Sequence, residues 1–254
     1  MSYRTQTPTS SLISCRLLPF AVAGGPVNMA ADEVLLESAV AGTASLRFYG
    51  WTEPTVSLGY FQKEALRRGD PLLQGLPFVR RPTGGATLVH DHEVTYALAL
   101  PPGSGWQQSE SWLVRMHRIL ADSLKKLGVE CRVYAAGGEE PAVGPLCFKH
   151  FTPGDLLIGQ SKIVGSAQRR QRGALLQHGA VLLNQSVHSP SLPGISELSQ
   201  RRLEASEVAA AVSAEFAGYT GYNLVEDKCT VLEQRRVEEL VARKYSQDWW
   251  NRKR

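Results

Sequence analysis

The sequence predicts an α+β fold in which mostly antiparallel, mixed β-sheets are flanked by helices. Three observations predict it. Runs rich in β-branched and aromatic residues come in hairpin-like pairs. Stretches with apolar residues at helical spacing are separate from those runs. No internal repeat and no long linker divides the chain, so we expect residues 1–254 to form a single domain with its core at about 14–251.

The first third of the chain is predicted to hold one long helix among strands. A strand is expected at SCRLLPF (14–20). An amphipathic helix follows over NMAADEVLLESAVAG, with Asn28 as its N-cap and Gly42 as its stop. Two short strands flank the Glu-Pro turn of ASLRFYGWTEPTVSLGYFQ, and KEALRRG is a brief helix.

The remaining elements follow in the same way. Residues 77–101 read as strand, glycine loop, strand, turn and strand. Apolar spacing predicts a helix from Gln108 to Leu127, then a strand at VECRVYA and a loop at GGEEPAVGPL. Residues 155–183 indicate a hairpin around Gly159-Gln160, a small-residue corner and a further strand. Two amphipathic helices are expected at SEVAAAVSAEFAGYTG and CTVLEQRRVEELVARKYS.

Composition excludes several classes of protein. Hydrophobic residues make up 43% and charged residues 20% of the 254 positions, which is typical of a soluble globular chain. No apolar run approaches the roughly 20 residues of a membrane-spanning helix. The stretch LLPFAVAGG imitates a signal-peptide core, but Arg16 directly precedes it and a helical pattern follows, so we expect a cytoplasmic protein.

Charge and metal-ligand patterns point to neither nucleic acid nor metal. The net charge is only +4. Neighbouring arginines occur in pairs at several places along the chain, and no nucleic-acid-binding motif accompanies them. These pairs are therefore either solvated surface or a docking face for an acidic partner. The four cysteines form no CxxC pair, and the six histidines are scattered. His90-Asp91-His92 lacks the further ligands that zinc requires, so we expect no metal site.

Two stretches carry candidate chemistry. In RRPTGGATLVH (80–90), paired glycines allow a ligand to approach the backbone, and two arginines add positive charge. An ordinary strand-loop-strand corner is the alternative interpretation. In SKIVGSAQRRQRGALLQHGAVLL (161–183), Lys162 precedes small residues and is either a pocket residue or a solvated charge; His178 is either functional or a core histidine.

Taken together, these stretches resemble the superfamily of lipoate-protein ligases, octanoyltransferases and biotin-protein ligases. NMAADEVLLESAVAG, LRFYGWTEPTVSLGYFQ, HDHEVTYAL, Cys147-Phe148 and KYSQDWWNRKR look most like the Gram-positive-type octanoyltransferases of lipoate biosynthesis. The resemblance covers residues 14–251. It implies a class II biotin/lipoate ligase catalytic-domain fold and a single catalytic domain without an accessory C-terminal domain.

The resemblance also implies a reaction. Such enzymes take an octanoyl (or lipoyl) group from acyl carrier protein and pass it to a lysine of a lipoyl domain, on glycine cleavage H protein or a 2-oxoacid dehydrogenase E2. The group travels as a thioester on an enzyme cysteine, here Cys147, with Lys162 as the pocket lysine. Exchange between thioesters needs no ATP, so no cofactor is expected.

The matching positions give the expected site. Cys147 lies in a loop between Pro145 and Pro153, whereas Cys15, Cys131 and Cys229 fall in strand or helix patterns and are assigned to structure. A nearby ammonium would lower the pKa of the thiol. The expected substrate-binding residues are Arg80, Arg81, Thr83, Gly84, Gly85, Ala86, His90, Gly165, Ser166, Ala167 and His178.

Three other functions are compatible with parts of this pattern. An ATP-dependent lipoate-protein ligase of the same fold would need ATP and Mg²⁺, and Gly154-Asp155-Leu156 resembles a ligase element. An amidotransferase would move lipoyl or octanoyl groups between proteins. A non-catalytic binding module would keep the glycines without needing Cys147 and Lys162. Thr83 and the KHFTPGD stretch depart from the octanoyltransferase pattern, which leaves donor and chain length open.

Overall fold

The structure, a computed structural model, describes residues 13–103, 110–135, 147–149 and 151–254. The predicted loop GGEEPAVGPL and the first residues of the helix expected from Gln108 lie outside these ranges. The α+β class is confirmed, because mixed sheets are flanked by helices throughout the described residues.

The strands form a larger and a smaller sheet. The larger has the order β12-β1-β3-β7-β11-β10-β9-β8, with β2 paired to β3, and the smaller has the order β5-β4-β6. The strands are β1 (Ile13–Leu17), β2 (Ala21–Ala23), β3 (Ala44–Trp51), β4 (Thr55–Leu58), β5 (Phe78–Arg80), β6 (Leu88–His90), β7 (Glu93–Leu100), β8 (Arg132–Val133), β9 (Leu156–Ile158), β10 (Ser161–Gln171), β11 (Ala174–Leu182) and β12 (Tyr222–Glu226).

The helices lie between and after these strands. They are α1 (Gly25–Val40), α2 (Ala65–Arg68), α3 (Trp112–Lys126), α4 (Ile195–Ser199), α5 (Ala205–Thr220), α6 (Val231–Leu240) and α7 (Asp248–Asn251). A 3₁₀ turn spans Cys147–Lys149, and a π-helical turn spans Val241–Tyr245.

The pairing is antiparallel at the centre of the larger sheet and parallel at one edge. The run β3-β7-β11-β10-β9 is antiparallel throughout. By contrast, β1 pairs in parallel with both β3 and β12. The strand β12 is absent from the sequence prediction, because it follows directly on a helix and lacks the turn residues that mark a hairpin.

The strand β7 shows why the core has two sides. Tyr96, Leu98 and Leu100 pack into one apolar cluster, together with α3 and α5. Ala97 and Ala99 point to the opposite face and pack into a second cluster with α1. Because successive side chains of a strand alternate between faces, a strand covered on both sides reads as a continuous apolar run.

Three local predictions are wrong in detail. The first helix begins at Gly25 with Gly24 as its N-cap, so Asn28 lies inside it. Pro26 explains the difference, since proline is favoured in a first turn. The side chain of Asn28 instead donates to the carbonyls of Ala23 and Gly50.

The other two corrections concern strands. The small-residue corner expected at 165–167 lies within the continuous strand β10, and Lys162 is inside that strand rather than before its edge. The chain turns at Arg172-Gly173, both at positive φ. The strand expected at VECRVYA is reduced to Arg132–Val133. The hairpin around Gly159-Gln160 is confirmed as β9 and β10.

Arg80 joins the end of the chain to the smaller sheet. Its guanidinium, fully buried, donates to the carbonyls of Gly59, Gln62 and Asn251 at 2.9, 2.6 and 2.9 Å. The indole of Trp250 donates to the carbonyl of Arg80 at 2.9 Å. The charge of Arg80 is thus solvated by backbone dipoles, and the C-terminal segment is fixed beside the glycine loop.

We expect Arg80→Ala to lower the free energy of unfolding by about 3 kcal/mol or more, because it leaves several buried carbonyls without donors. Urea unfolding followed by far-UV circular dichroism measures the change. The matched control is Arg235→Ala at an exposed arginine, expected to change stability by less than about 0.5 kcal/mol. Equal, small effects of both substitutions would contradict this role for Arg80.

Candidate active site

One cavity, with a volume of about 50 Å³, collects residues from both sheets, α1 and the 3₁₀ turn. Several of the predicted substrate-binding residues line it: Arg81, Gly85, His90, Gly165, Ser166, Ala167 and His178. The other lining residues are Met29, Tyr49, Leu88, Thr95, Phe148, Gly179 and Ala180. The wall is therefore mainly apolar with a few converging polar groups, as in small-molecule sites.

Lys162 is buried on β10, packed against the cavity-lining Gly165, and it pairs with Asp155. The two side chains are 3% and 2% exposed, and the Lys162 Nζ lies 2.6 Å from the Asp155 Oδ2. Burial raises the pKa of Asp155, with Lys162 acting in the opposite direction. A solvated surface lysine, the alternative interpretation of Lys162, is wrong.

Gly165 makes room for Lys162. A Cβ at Gly165 would lie 2.4 Å from the Lys162 Cε and 2.8 Å from its Nζ, far inside van der Waals contact. The lysine side chain thus packs against the backbone of Gly165, on the same strand. Any larger residue at this position would displace the amine.

Cys147 begins the 3₁₀ turn that packs against β10. Its side chain lies outside the part of the chain that the structure describes. The next residue, Phe148, is buried and lines the cavity, and its ring centroid is 5.2 Å from the Lys162 Nζ. The backbone therefore brings Cys147 beside a cavity-lining ring that lies close to Lys162.

The other three cysteines are poor nucleophiles. Burial raises the pKa of Cys15 to about 12 and that of Cys131 to about 11, and it raises the pKa of Cys229. Cys15 belongs to the apolar core, and none of the three lines the cavity. Their thiols are protonated at neutral pH and remote from the candidate substrate.

The glycine loop presents amide donors. The second guanidinium nitrogen of Arg81 binds the carbonyls of Gly84 and Ala86 at 3.1 and 2.9 Å. Gly85 has φ +90°, a conformation that favours glycine. Within the described ranges, the N–H groups of Gly84, Gly85 and Ala86 have no protein acceptor. Arg81 thus occupies the carbonyls, and the amides remain for a ligand.

His178 links the glycine loop to α1. Its Nδ1 lies 2.7 Å from the Asp32 Oδ2, and its Nε2 lies 2.7 Å from the Thr83 Oγ1. Because the carboxylate accepts, Nδ1 carries a proton, and Nε2 shares a hydrogen bond with the hydroxyl of Thr83. Tyr49 also donates to the same Asp32 oxygen.

His90 also lines the cavity, and its ring is fixed by neighbouring side chains. Its ring stacks on Trp51 with centroids 3.8 Å apart. Its Nε2 lies 2.6 Å from the Ser57 Oγ, and its Nδ1 is bonded to Glu93. Burial lowers the pKa of His90, although Glu93 opposes the shift.

Thr83 and Gly84 line a separate outer groove.

A histidine that the sequence motifs do not single out completes the site. His117 on α3 is fully buried, and its Nδ1 lies 2.6 Å from the carbonyl of Gly154. Because a carbonyl only accepts, Nδ1 carries the proton, and Nε2 accepts from Ser166. Ser166 in turn accepts from Tyr96, 2.6 Å away. This chain of hydrogen bonds fixes the cavity-lining hydroxyl of Ser166 beside the Lys162 pair.

The signals for the missed residues are weak. His117 falls on the apolar face of its helix, three residues before Leu120, which marks it as buried but not as functional. Asp155 appears in the sequence only as part of the Gly-Asp-Leu element. Asp32 lies on the face of α1 that is buried against the sheet, and its carboxylate finds His178 only through the tertiary fold.

Neither a metal centre nor a membrane-spanning helix is found in the described ranges. No group of three or more His, Cys, Asp or Glu side chains there is placed to hold a metal ion. No helix of this part of the chain is long and apolar enough to cross a membrane.

The mixed sheets flanked by helices place the chain in the class of lipoate-protein-ligase-like catalytic domains. Two solved structures show the same fold. A lipoate-protein ligase A bound with ATP has a TM-score of 0.70 at 23% identity, covering 94% of this chain and 99% of its own. A bi-partite lipoate protein ligase from Thermoplasma acidophilum has 0.73 at 23%, covering 94% and 96%.

The chain belongs to the lipoyl protein ligase A/B catalytic domain family, which it matches over residues 25–214. It is 34% identical to the octanoyltransferase LipM of Geobacillus kaustophilus, over 89% of this chain and 94% of that protein. It is 32% identical to the octanoyltransferase LipM of Kyrpidia tusciae, over 93% and 97%. The family and the fold expected from the sequence are confirmed.

The pH dependence of stability tests the placement of His117. Burial lowers its pKa from 6.5 to about 4 in the folded protein. In the unfolded chain the imidazole binds a proton below about pH 6.5, whereas in the folded chain it does so only below about pH 4. The stability that is present at pH 7 is therefore lost as the pH falls through this window, by up to about 3 kcal/mol.

We expect the stability difference between the wild type and His117→Gln to shrink by that amount from pH 7 to pH 4, since the variant lacks the titrating group. Chemical unfolding at a series of pH values measures it, with His92→Gln at an exposed histidine as the control. A difference independent of pH would show that His117 is not buried in its neutral form.

Proposed function

We propose that this protein is an octanoyltransferase that takes an octanoyl (or lipoyl) group from acyl carrier protein and transfers it to a lysine of a lipoyl domain, through a thioester on Cys147. The observation that carries the proposal is the buried Lys162–Asp155 pair, 2.6 Å apart, because Lys162 lies on the strand β10 against which the turn starting at Cys147 packs. The named function of the relatives supports it.

The first half-reaction exchanges one thioester for another. The Cys147 thiolate attacks the acyl carbonyl, and the carrier's thiolate leaves with the electron pair of the broken C–S bond and takes up a proton. One thioester bond is broken and another is formed, so the exchange needs no ATP or other cofactor. In the second half-reaction the neutral amine of the acceptor lysine attacks the acyl carbonyl, the C–S bond breaks and Cys147 leaves as thiolate. The amine nitrogen loses one proton, which this thiolate takes up, and an amide forms.

The ammonium of Lys162 favours the thiolate. A positive charge close to a cysteine stabilises its ionised form. Asp155 fixes the ammonium and partly neutralises it, so the field at the sulfur is that of an oriented pair rather than of a bare cation. The role of Asp155 is positioning.

The amides of the glycine loop suit the developing negative charge. When a nucleophile adds to the acyl carbonyl, the oxygen becomes an oxyanion, and preorganised N–H donors stabilise it. The N–H of Gly85, which lines the cavity, is such a donor. Hydrogen bonds from Arg81 to the neighbouring carbonyls hold the loop in place. The paired glycines thus clear space for the carbonyl and supply its donors.

The acceptor and the compartment are part of the proposal. The family name supports a lipoyl domain as acceptor, and glycine cleavage H protein or a 2-oxoacid dehydrogenase E2 would supply it. A cytoplasmic location fits such partners. The ATP-dependent ligase is the weaker alternative, because the relatives from Geobacillus and Kyrpidia, at 34% and 32% identity, are octanoyltransferases.

Incubation with octanoyl-carrier protein, without ATP, is expected to add the mass of one octanoyl group to the protein, on Cys147. Intact-protein mass spectrometry followed by peptide mapping measures it. Cys147→Ser is expected to lose the adduct and the transfer to a lipoyl domain, because a serine hydroxyl is not ionised at neutral pH.

Cys131→Ser is the matched control, since Cys131 does not line the cavity and should leave loading unchanged. An adduct that persists in Cys147→Ser, or modification of the lipoyl domain only when ATP and free lipoate are added, would overturn the proposed reaction.

A further inference from the structure

The outer groove lies on the other side of the glycine loop from the cavity. Its lining residues are Tyr60, Phe61, Pro82, Thr83, Gly84, Gln168 and Arg169. The groove and the cavity share the loop as a wall, because Gly84 lines the groove and Gly85 lines the cavity. Along β10, Ala167 faces the cavity and Arg169 the groove. A linear ligand that passes the glycines would therefore reach both spaces.

Arg169 lines this groove, and two further cations, Lys253 and Arg254, lie over its aromatic residues; we call Arg169, Lys253 and Arg254 the cation cluster. The Lys253 Nζ lies 3.5 Å from the ring centroid of Tyr60, and the Arg254 guanidinium lies 5.4 Å from that of Phe61. Arg169 donates to the carbonyl of Pro82, next to the loop. The cluster is held in place, because the last residues are bound to Arg80 and because the carbonyl of Arg254 accepts from the Glu64 N–H.

The cation cluster brings three like charges close together. Within the described residues, none of the three cations forms an ion pair with a carboxylate. Burial, followed by the nearby charges of Arg80 and Lys244, lowers the pKa of Lys253 to about 8. Like charges gathered in this way repel one another, and an anion bound among them would relieve the repulsion.

The dimensions match one ligand. Four residues separate Gly165 in the cavity from Arg169 in the groove, which corresponds to about 13 Å along β10. An extended pantetheine chain, with amide and methylene bonds like those of a peptide, spans about 15 Å from sulfur to phosphorus. With the thioester at the cavity beside Gly165, its phosphate reaches the groove at Arg169.

We propose that the cation cluster binds the phosphodiester of the donor's phosphopantetheine arm, so that the arm lies along the outer groove with its acyl thioester in the cavity. This inference rests on the proposed function, in which an acyl carrier protein is the donor. Phe61, 70% exposed, and Tyr60 cover the apolar middle of the arm. Gly84, whose N–H has no acceptor within the described part, adds a donor near the path.

Direct binding tests the inference without any transfer. Calorimetry compares two unreactive thioethers, S-octyl-4′-phosphopantetheine and S-octylpantetheine, on the wild type and on the double variant Lys253→Met, Arg254→Met. Methionine keeps the packing over the aromatic rings and removes the charge. We expect the variant to bind the phosphorylated ligand about tenfold more weakly and the other ligand equally well. Arg235→Met is the control for loss of a surface charge.

Several outcomes would overturn the inference: no binding of the phosphorylated thioether, equal weakening for both ligands, or no effect of the double variant. A loss seen only with intact octanoyl-carrier protein would also overturn it, since the cluster would then contact the carrier's surface. If the phosphorylated thioether binds as expected but Cys147 gains no octanoyl group, the proposed transfer reaction fails and the phosphate site stands.

Discussion

The amine of Lys162 and the carboxylate of Asp155 lie 2.6 Å apart in a place from which water is almost excluded. Two charges in such a place are costly to desolvate, and the cost is tolerated only when each is the partner of the other and further bonds satisfy them. The Thr152 N–H, 2.6 Å from the same carboxylate oxygen, supplies one such bond. This pair fixes a buried cation next to the cavity-lining Gly165 and Phe148, and the proposed chemistry depends on it.

The surroundings of the pair follow from the sheet. Lys162 and Gly165 lie three residues apart on β10, and the missing side chain of Gly165 is the space that the lysine occupies. His117 binds the carbonyl of Gly154, directly before Asp155, and also binds Ser166 directly after Gly165. The strand and the loop that carry the two charges are thus tied together by a neutral histidine whose proton position is set by its partners.

Much of this could be predicted from sequence, because local patterns carry it. The helices α3 and α5 follow from apolar spacing, and the hairpin of β9 and β10 from Gly159-Gln160. Lys162 and the glycine loop are recognisable from ordered motifs. Two predictions failed for different reasons. The start of α1 follows from Pro26, a local signal that was outweighed by the apparent N-cap at Asn28. The strand β12 depends on a tertiary contact, because it pairs with the edge that β1 offers.

The same distinction applies to the site. The sequence places Asp155 seven residues from Lys162, but only the antiparallel pairing of β9 with β10, shifted by a bulge between Lys162 and Val164, turns that separation into an ion pair. Asp32 and His178 are 146 residues apart and meet through the packing of α1 on β11. Contacts of this kind leave no periodic signal in a single sequence.

A double-mutant cycle on Lys162→Met and Asp155→Asn, measured by urea unfolding, tests the central claim most directly. Each single substitution leaves one buried charge without its partner and should cost about 3 kcal/mol. The double variant removes both charges and should cost less than the sum of the single effects by about 2 kcal/mol or more. Additive effects would show that the two groups do not form a buried pair and would contradict the account.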